Sequence, residues 1–347
     1  MTFGVVRREV LRHNPLNEVT ASVERRTDAS GATSVVKRLR RAEGLADPQV
    51  PWAAAGDPAH WNYWRREVLA YRTPALRAGL EAAGLGLPVV LSLDEDDRGA
   101  TLCLEDLRGT PGTAFSIDDH AALVTGLGRW HAAGQPAWQP WMSRGFLRAY
   151  STTRPAPWAL VDDDAAWEQP LVRNHWPAGL RDGWQRLLAH RAHLLEVMER
   201  LPRALCHLDL WVSNEFRRPG GSCALIDWGY VGDGAVGEDV GNHVPDATLD
   251  LFWPAERIAE LDEVCFTAYL HGLRSAGWSG DERDVRLGVT ASAVKYAWLL
   301  PLMLGQASEP EQRAYHERAD PDRLYQQRGL ALQHLVRWCD EALALLS

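Results

Sequence analysis

Several common features are scarce or missing in this sequence. Its five cysteines are an odd number spread along 347 residues, so they do not form a disulfide framework. No apolar run approaches the length of a membrane span, and residues 1–14 lack the apolar core and cleavage site of a signal peptide. We find no internal repeat and no low-complexity segment. These absences predict a globular cytoplasmic protein with no membrane partner.

The charge balance disfavours a further class of function. Acidic residues outnumber basic ones and give a formal net charge of −9, which disfavours nucleic-acid binding even though residues 25–41 are basic. Cationic or neutral small molecules suit such a surface better. The length is sufficient for two lobes around a cleft. The oligomeric state is not determined by the sequence, and both a monomer and a homodimer are consistent with it.

The N-terminal third alternates between apolar and polar residues, which is the pattern of strands. Segments 18–28 and 32–41 are joined by a glycine-containing turn, so they predict a β-hairpin. Segments 87–93 and 100–107 predict a second hairpin around the acidic turn 94–99. Both hairpins belong to one β-rich region.

Between the hairpins the residue spacing predicts one helix. Asp57 can cap it, and Pro58 suits its first turn. The buried face carries apolar residues at helical spacing: Trp61, Trp64, Val68 and Tyr71. Glu67 lies on this inward face, where a carboxylate costs free energy unless it is paired. The alternative for Glu67 is an ordinary ion pair with Arg66 or Arg72.

From Ser116 onward the pattern is mainly helical. Ser116 opens a capping box, and the helix that follows is predicted to stop at Gly134. Residues 135–180 are rich in proline, tryptophan and acids and predict irregular or short helical structure, whereas 181–201 predict a regular helix. The remaining elements are two short strands and a group of C-terminal helices, at 203–208, 223–228 and 254–347.

The polar residues around the two short strands carry the chemical signal. The stretch "LCHLDLWVSNEF", residues 205–216, holds His207, Asp209 and Asn214, and Asp227 follows at the end of the next strand. Phosphoryl transfer from a nucleotide requires an aspartate for the proton of the attacking hydroxyl and oxygen ligands for magnesium. The full spaced set therefore predicts a nucleotide-phosphate site.

Two upstream residues complete this inventory. Lys37 lies in a predicted strand on the same face as Val35 and Leu39, and a lysine so placed can hold phosphate oxygens. Glu67 on the following helix would hold the lysine. The order lysine, glutamate, His-x-Asp, asparagine, Asp-x-Gly is that of the protein-kinase signature. The alternative for Lys37 is a solvated basic strand end.

With these residues the sequence resembles the aminoglycoside phosphotransferase and choline kinase family, small-molecule kinases with the protein-kinase-like fold. The resemblance covers most of the chain. The stretches that carry it are "HLDLWVSN" (207–214), "LIDWGYVGDGAVGEDVGN" (225–242), "VVKRL" (35–39), "LCLEDL" (102–107) and "LGRWHAAG" (127–134).

The fold implied by this resemblance is α+β and bilobal. A small β-rich N-lobe, residues 1–107, would bind the nucleotide with its β-sheet and one helix. A larger, mainly helical C-lobe, residues 108–347, would hold the catalytic loop at 205–229. The same lobe would contribute the helical substrate-binding segments 135–200 and 243–347.

The resemblance also assigns roles to the polar residues. It implies that Asp209 is the catalytic base and that Asn214 and Asp227 are catalytic residues that hold Mg²⁺. Lys37 is the implied phosphate clamp, with Glu67 as its partner.

Further roles concern the hinge and the support of the catalytic loop. Backbone groups of Glu105, Asp106 and Leu107 are implied to hold the base of the phosphoryl donor, ATP or GTP. His207 and Asp239 are implied to be structural residues of the catalytic loop.

The sequence departs from the kinase pattern in two places. The segment 12–19 between the first strands contains no glycine, so a Gly-rich phosphate loop is missing, and Asn14 and Asn17 are the candidates to cover the phosphates. No Ala-Pro-Glu signature follows Asp227, and the residues up to Gly237 are too few for a peptide-substrate platform. The second departure disfavours a protein kinase.

The acceptor site is less determined by sequence. Acids and aromatics after the catalytic loop are candidates to hold ammonium groups or to stack on a sugar-like face. These candidates are Asp233, Asp246, Asp250 and Trp253. The acidic tract 162–164 predicts a solvated turn or helix cap, with an acidic rim for a cationic substrate as the alternative.

The predicted function is ATP- or GTP-dependent phosphorylation of a hydroxyl on a small molecule. The family likeness favours an antibiotic, either an aminoglycoside or a nucleoside-like or other sugar-bearing compound. A metabolic kinase for choline, an amino alcohol or a sugar is the near alternative. Two other classes stay open: a nucleotide-binding pseudoenzyme, and a zinc or thiol enzyme that uses Cys206 and His207.

Overall fold

The computed structural model describes residues 5–47, 50, 52–133, 138–314 and 317–347. Within these ranges the N-terminal part is built on an antiparallel sheet and the C-terminal part is mostly helical. The predicted α+β class is therefore confirmed.

The strands in chain order are β1 (Val5–Val10), β2 (Thr20–Asp28), β3 (Thr33–Arg40), β4 (Leu85–Gly86), β5 (Val90–Asp96), β6 (Gly99–Glu105), β7 (Thr110–Pro111), β8 (Arg203–Cys206), β9 (Glu215–Arg217), β10 (Cys223–Leu225), β11 (Gly232–Ala235), β12 (Arg313–Ala314) and β13 (Glu317–Arg318). The helices are α1 (Arg66–Tyr71), α2 (Pro74–Ala82), α3 (Ile117–Ala132), α4 (Phe146–Thr153), α5 (Asp164–Trp167), α6 (Pro170–His175), α7 (Leu180–Arg200), α8 (Glu238–Leu249), α9 (Ile258–Ser275), α10 (Glu282–Ala291), α11 (Leu299–Gln306) and α12 (Pro321–Leu346).

The N-terminal sheet has the strand order β1-β2-β3-β6-β5, and both predicted hairpins are confirmed within it. Gly31 closes the first hairpin with a φ of 83°, a left-handed conformation that glycine adopts without steric cost. The second turn is tighter than predicted. Asp94 to Asp96 extend β5 because they pair in register with β6, and only Asp97 and Arg98 form the turn.

The helix predicted from Asp57 is wrong in its first half. Residues 57–65 form turns, and α1 begins only at Arg66. Carbonyl groups of this segment accept hydrogen bonds from the Arg66 guanidinium rather than from amides four residues on. Thr73 is extended before Pro74, which separates α1 from α2, so this region holds two short helices instead of one.

The predicted inward face of this segment is nevertheless confirmed. Trp61, Trp64, Val68 and Tyr71 are all buried, and Glu67 is buried with them. The segment therefore contributes to the core next to the sheet and delivers one carboxylate to the interior.

Helix α3 begins with the predicted capping box between Ser116 and Asp119. Its predicted end, Gly134, lies outside the described residues. Helix α3 packs closely on α9, and a glycine lies on each helix at the contact. A Cβ on Gly128 would lie 2.2 Å from the Tyr269 carbonyl oxygen, and a Cβ on Gly272 would lie 2.2 Å from the Thr125 carbonyl oxygen. The closely packed pair of α3 and α9 forms part of the core of the C-terminal part.

Short β-ladders hold the polar stretch 205–216 between the two parts. Strand β8 pairs with β11, and β10 pairs with both β9 and β4, which belongs to the N-terminal part of the chain. The predicted strands 203–208 and 223–228 are thus confirmed but shorter. Asp209, Asn214 and Asp227 all lie in the loops at the ends of these ladders.

Among the described residues, one helical segment is long and apolar enough to cross a membrane by length and composition, Glu282–Gln306. The expectation that no such run exists was wrong in this respect. Of its most apolar window, 89% is buried inside the protein, which is the behaviour of a core segment.

Candidate active site

Lys37 joins two carboxylates that are far apart in sequence. Its ammonium nitrogen lies 2.7 Å from Glu67 Oε2 and 2.7 Å from Asp227 Oδ1. Burial acts to lower the pKa of Lys37, but the two carboxylates outweigh it and raise that pKa above its ordinary value. Lys37 is therefore not at an exposed strand end, and the alternative given for it is wrong. The alternative for Glu67, an ion pair with Arg66 or Arg72, is wrong as well.

Asp239 holds the backbone of the stretch that carries Asp209. Its carboxylate accepts hydrogen bonds from the amides of His207 (2.7 Å) and Leu208 (2.8 Å). Leu208 has a φ of 66° and Asp227 a φ of 60°, a left-handed conformation that is rare outside glycine and concentrates at functional sites. Asp239 thus stabilises a strained backbone next to the predicted base, which agrees with its predicted structural role.

His207 links the two loops of the site from behind. Its ring is buried, Nδ1 accepts from the Asp209 amide (3.3 Å) and Nε2 lies 2.9 Å from the Ile226 carbonyl oxygen. These partners define a neutral ring that donates through Nε2. The ring therefore fixes Asp209 relative to Asp227, and it does not face the cleft as an acid or base.

Asn214 is oriented by Asp209. Its side-chain nitrogen donates to the Asp209 carbonyl (2.9 Å) and lies 3.3 Å from Asp209 Oδ2. The amide oxygen is then the atom available to a cation. The Asp227 side chain is 40% exposed and adds carboxylate oxygens, so these two residues form the hard-oxygen donor set that Mg²⁺ prefers.

Asn17 faces the lysine site from the glycine-free loop, while Asn14 does not. Asn17 donates to the Tyr230 hydroxyl (3.1 Å) and borders a cavity of about 10 Å³ together with Lys37 and Asp227. That volume holds about one water, so this cavity by itself does not accommodate a nucleotide. The Asn14 side chain accepts from the Leu16 amide in a local turn.

The hinge side chains are engaged within the protein. Glu105 pairs with Arg218 (2.8 Å) and accepts from the Val89 amide, and Asp106 pairs with Arg25 (3.0 Å). Leu107 follows β6 and is partly buried. Recognition of a nucleotide base by this stretch therefore stays a prediction about backbone groups.

Among the four predicted acceptor residues, Asp246 is the one that the structure brings beside Asp209. Burial raises the pKa of Asp246 to about 7, a shift that Lys295 opposes and that Asp250 and Asp209 reinforce. Burial likewise raises the pKa of Asp209, and Lys295 opposes that shift too.

The other three acceptor residues have partners elsewhere. Asp233 pairs with Arg203 (2.8 Å), and Asp250 pairs with Arg328 (3.3 Å). Trp253 is 7% exposed and donates through its indole N–H to the Arg257 carbonyl. Asp233 and Asp250 are engaged in ion pairs and Trp253 in core packing, so the place of these residues in the acceptor site stays a prediction.

Carboxylates of the tract 162–164 are likewise used locally. Asp163 caps α5 by accepting from the Ala165 amide (3.0 Å), and Asp164 pairs with Arg181. The helix-cap interpretation is confirmed, and the acidic rim loses its support.

Sequence reasoning missed Lys295, which lies near both Asp209 and Asp246. The available signal was compositional: the chain contains two lysines, and all its other permanently cationic side chains are arginines. Lys295 stands in an apolar run of the C-terminal segment 254–347, which the sequence analysis assigned only to a group of helices.

The zinc or thiol alternative loses its geometric basis. Cys206 is fully buried with its sulfur near the Ala235 carbonyl, whereas the His207 ring faces Ile226. Burial raises the pKa of the Cys206 thiol well above its ordinary value, so it is a poor nucleophile and a poor metal ligand. His131 and Asp239 lie within ligand distance of Cys206, but both Asp239 oxygens already accept backbone amides.

A sequence profile of the phosphotransferase enzyme family matches residues 25–280, well over half of the chain. The chain belongs to this family. It is therefore a small-molecule phosphotransferase, as the spaced motif predicts. In a sequence search, no curated protein matches the chain.

Solved phosphotransferase structures share the fold. The amicoumacin kinase hAmiN, in complex with AMP-PNP, Ca²⁺ and Ami, aligns with a TM-score of 0.54 at 13% identity, over 98% of this chain and 89% of that chain. An aminoglycoside phosphotransferase from Alicyclobacillus acidocaldarius gives a TM-score of 0.55 at 18% identity, over 99% of this chain and 90% of that chain. Identities this low show the fold alone, and they confirm the predicted kinase-like fold of this phosphotransferase.

Proposed function

We propose that this phosphotransferase moves the γ-phosphoryl group of ATP or GTP to a hydroxyl of a small molecule. The observation that carries the proposal is the contact of Lys37 with Glu67 and Asp227, each at 2.7 Å, beside the loop of Asp209 and Asn214. A lysine in an ordinary ion pair, or at an exposed strand end, would not need two carboxylates from distant parts of the chain. The nucleotide would lie between the N-lobe, for which we propose residues 1–107, and the catalytic loop.

In the proposed reaction Lys37 binds phosphate oxygens of the donor, and Glu67 keeps the ammonium in place. Asp209 accepts the proton of the acceptor hydroxyl, whose oxygen forms a bond to the γ-phosphorus. The bond from that phosphorus to the nucleoside diphosphate breaks, and the diphosphate leaves. Asn214 and Asp227 would hold Mg²⁺, which supplies charge neutralisation at the phosphates.

An antibiotic is the proposed acceptor class. The fold neighbours named above are a kinase of amicoumacin and an aminoglycoside phosphotransferase, and this chain carries the residues for phosphoryl transfer described above. Choline, an amino alcohol or a sugar is the second candidate, and a neutral sugar is the one of these three that suits a site where the Lys295 ammonium lies 5.5 Å from the centre of the Tyr150 ring.

The test is release of ADP or GDP, with magnesium, against a panel of hydroxylated compounds. The panel holds aminoglycosides, peptide and nucleoside antibiotics, macrolides, choline and simple sugars. We expect one class to stimulate release, and Asp209→Asn to lower that turnover by on the order of 10²–10⁴-fold with nucleotide affinity intact. The matched control is Asp162→Asn, which removes an exposed carboxylate of the C-terminal part that bonds only to α7.

The outcomes separate the assignments. Near-wild-type turnover by Asp209→Asn would remove Asp209 as the base. Absence of any Mg-nucleotide binding by the wild type would reject the kinase function itself. Nucleotide binding with neither acceptor-free hydrolysis nor stimulated release would favour the pseudoenzyme, whereas slow hydrolysis without an acceptor would favour an enzyme.

A further inference from the structure

A second buried lysine lies on the acceptor side of the cleft. Lys37 and Lys295 are the two lysines of the chain, and they are 8% and 4% exposed. Lysine is almost never buried to this extent without a partner. The partners of Lys37 are the Glu67 and Asp227 carboxylates, so the question is what Lys295 serves.

Aromatic rings and carboxylates surround Lys295 without binding its ammonium directly. The ammonium nitrogen lies 5.5 Å from the centre of the Tyr150 ring and 5.9 Å from that of Tyr296, which are cation–π distances. Asp209 and Asp246 lie close enough to interact with its charge. Among the described residues, no hydrogen bond or ion pair within 4.0 Å satisfies this ammonium, so its donors remain for a ligand.

Arg154 places a further cation next to the same tyrosine. Its guanidinium carbon lies 4.1 Å from the ring centre of Trp52, 4.4 Å from that of Tyr150 and 4.7 Å from that of Trp298. Its Nε atom is buried without a hydrogen-bond partner. Within the described ranges no carboxylate pairs with it. The three rings hold the guanidinium in place but do not neutralise it.

We propose that Lys295, assisted by Arg154, selects the acceptor by charge, so that the phosphotransferase takes a neutral or anionic acceptor and excludes polycations. The inference rests on the proposed function, because it assigns the acceptor of the same site. Lys295 opposes the charges of Asp209 and Asp246, and Arg154 adds a second cation beside Tyr150, so two fixed cations lie on the side of the site that an incoming polycation would have to approach. Fixed cations repel incoming ammonium groups most strongly where water is excluded.

The expected chemistry at Lys295 is a charge-assisted hydrogen bond. A hydroxyl, carbonyl or carboxylate oxygen of the acceptor would accept from the ammonium, which positions the neighbouring hydroxyl toward Asp209. Lys295 is thus a specificity residue that contacts the acceptor, and Asp209 keeps the role of base.

The test uses two probes that differ in charge: kanamycin, a polycation, and its fully N-acetylated derivative, which is neutral. Binding of each is measured by calorimetry in the presence of Mg-AMP-PNP, so no turnover is needed. We expect the wild type to prefer the neutral probe at least tenfold. Lys295→Met should lower this preference at least tenfold, whereas Lys295→Arg should retain it. Arg274→Met, which removes an exposed surface cation, is the control and should also retain it.

Two results would overturn the proposal. One is that the wild type binds kanamycin more tightly than the neutral probe, and the other is that Lys295→Met prefers the neutral probe by the same factor as the wild type. Binding of Mg-AMP-PNP and thermal unfolding report whether each variant folds, and Lys295→Gln replaces Lys295→Met if that variant does not. If the wild type does not bind Mg-AMP-PNP, the proposed function is wrong, and that result is distinct from a failure of the charge selection.

Discussion

At the residue scale, buried charges in this phosphotransferase are paired with groups that fix their geometry. Asp239 is the clearest case, because both its oxygens accept backbone amides of the catalytic loop, and His131 lies 3.4 Å from one of them. Burial acts to raise the pKa of Asp239, but these hydrogen bonds and His131 lower it below its ordinary value. An ionised acceptor with two oxygens is therefore required at this position.

Replacing Asp239 by Asn should separate positioning from binding. One oxygen becomes an amide nitrogen, which cannot accept from the His207 or Leu208 amide, so a buried N–H loses its partner. We expect a loss of about 2–3 kcal/mol in the free energy of unfolding and a fall in turnover on the order of 10²-fold, since the left-handed backbone before Asp209 relaxes. Denaturant unfolding and steady-state kinetics measure the two effects.

The matched control is Asp262→Asn, a buried and ion-paired aspartate that bonds to Arg286, His334 and Trp338 instead of the catalytic loop. It should lose stability and keep its turnover per folded molecule. Equal losses of turnover in both variants would assign the Asp239 effect to general destabilisation.

At the element scale, Asp262 joins three helices of the C-terminal part. It lies on α9 and binds Arg286 on α10 at 2.6 Å, and it accepts from His334 and Trp338 on α12 at 3.1 and 2.6 Å. Burial acts to raise the pKa of Asp262, but these partners lower it to about 2. These interactions of Asp262 fix the positions of the three helices relative to one another, which contacts between their apolar faces alone do not.

This shift predicts how stability depends on acidity. The folded-state pKa lies below the unfolded value near 3.9, so the contribution of Asp262 is complete above about pH 4 and is lost as the pH falls through 2. At about 1.4 kcal/mol per pKa unit, the contribution is roughly 2.6 kcal/mol. The measurement is denaturant unfolding of the wild type and Asp262→Asn between pH 2 and 7. The difference in unfolding free energy should be constant above pH 4 and smaller below it; a difference independent of pH would contradict the assignment.

At the scale of the whole molecule, Arg66 connects the N-terminal part to the C-terminal part. Its guanidinium is fully buried, and burial lowers its pKa to about 10. It donates to carbonyl oxygens of both parts, with no carboxylate among these partners. The acceptors are Trp61 (2.7 Å), His60 (2.8 Å), Trp141 (2.9 Å), Pro58 (3.1 Å) and Gly229 (3.2 Å).

Arg66→Lys should weaken this connection even though the charge is kept. One ammonium has three donors on a single nitrogen and cannot reach carbonyls spread around a planar fork. We expect the free energy of unfolding to fall by about 2–3 kcal/mol because buried carbonyl groups lose their hydrogen-bond donors, and nucleotide affinity to fall because Gly229 follows Asp227 closely. Arg65→Lys is the control: this neighbour pairs with Glu95 near the surface and should change stability by less than about 1 kcal/mol. Equal effects of the two substitutions would argue against a connecting role for Arg66.

Local pattern predicted much of this molecule because neighbouring residues suffice to define it. Alternation placed β2 and β3 and put Lys37 in the sheet, and the capping box placed the start of α3. The helix from Asp57 failed since its carbonyls bind Arg66, a partner whose side-chain direction no periodicity reveals.

The sequence by itself determined the family, the fold class and the spaced set of Asp209, Asn214 and Asp227, because such loops require particular residue types at fixed spacing. Tertiary structure alone decided which charged side chains lie near Asp209. It joined Lys37 to Glu67 and Asp227, drew Trp253 into the core, and brought Lys295 beside Asp209 across a separation of many residues. Contacts of this kind depend on how helices pack, and packing is fixed by the whole chain rather than by any short segment.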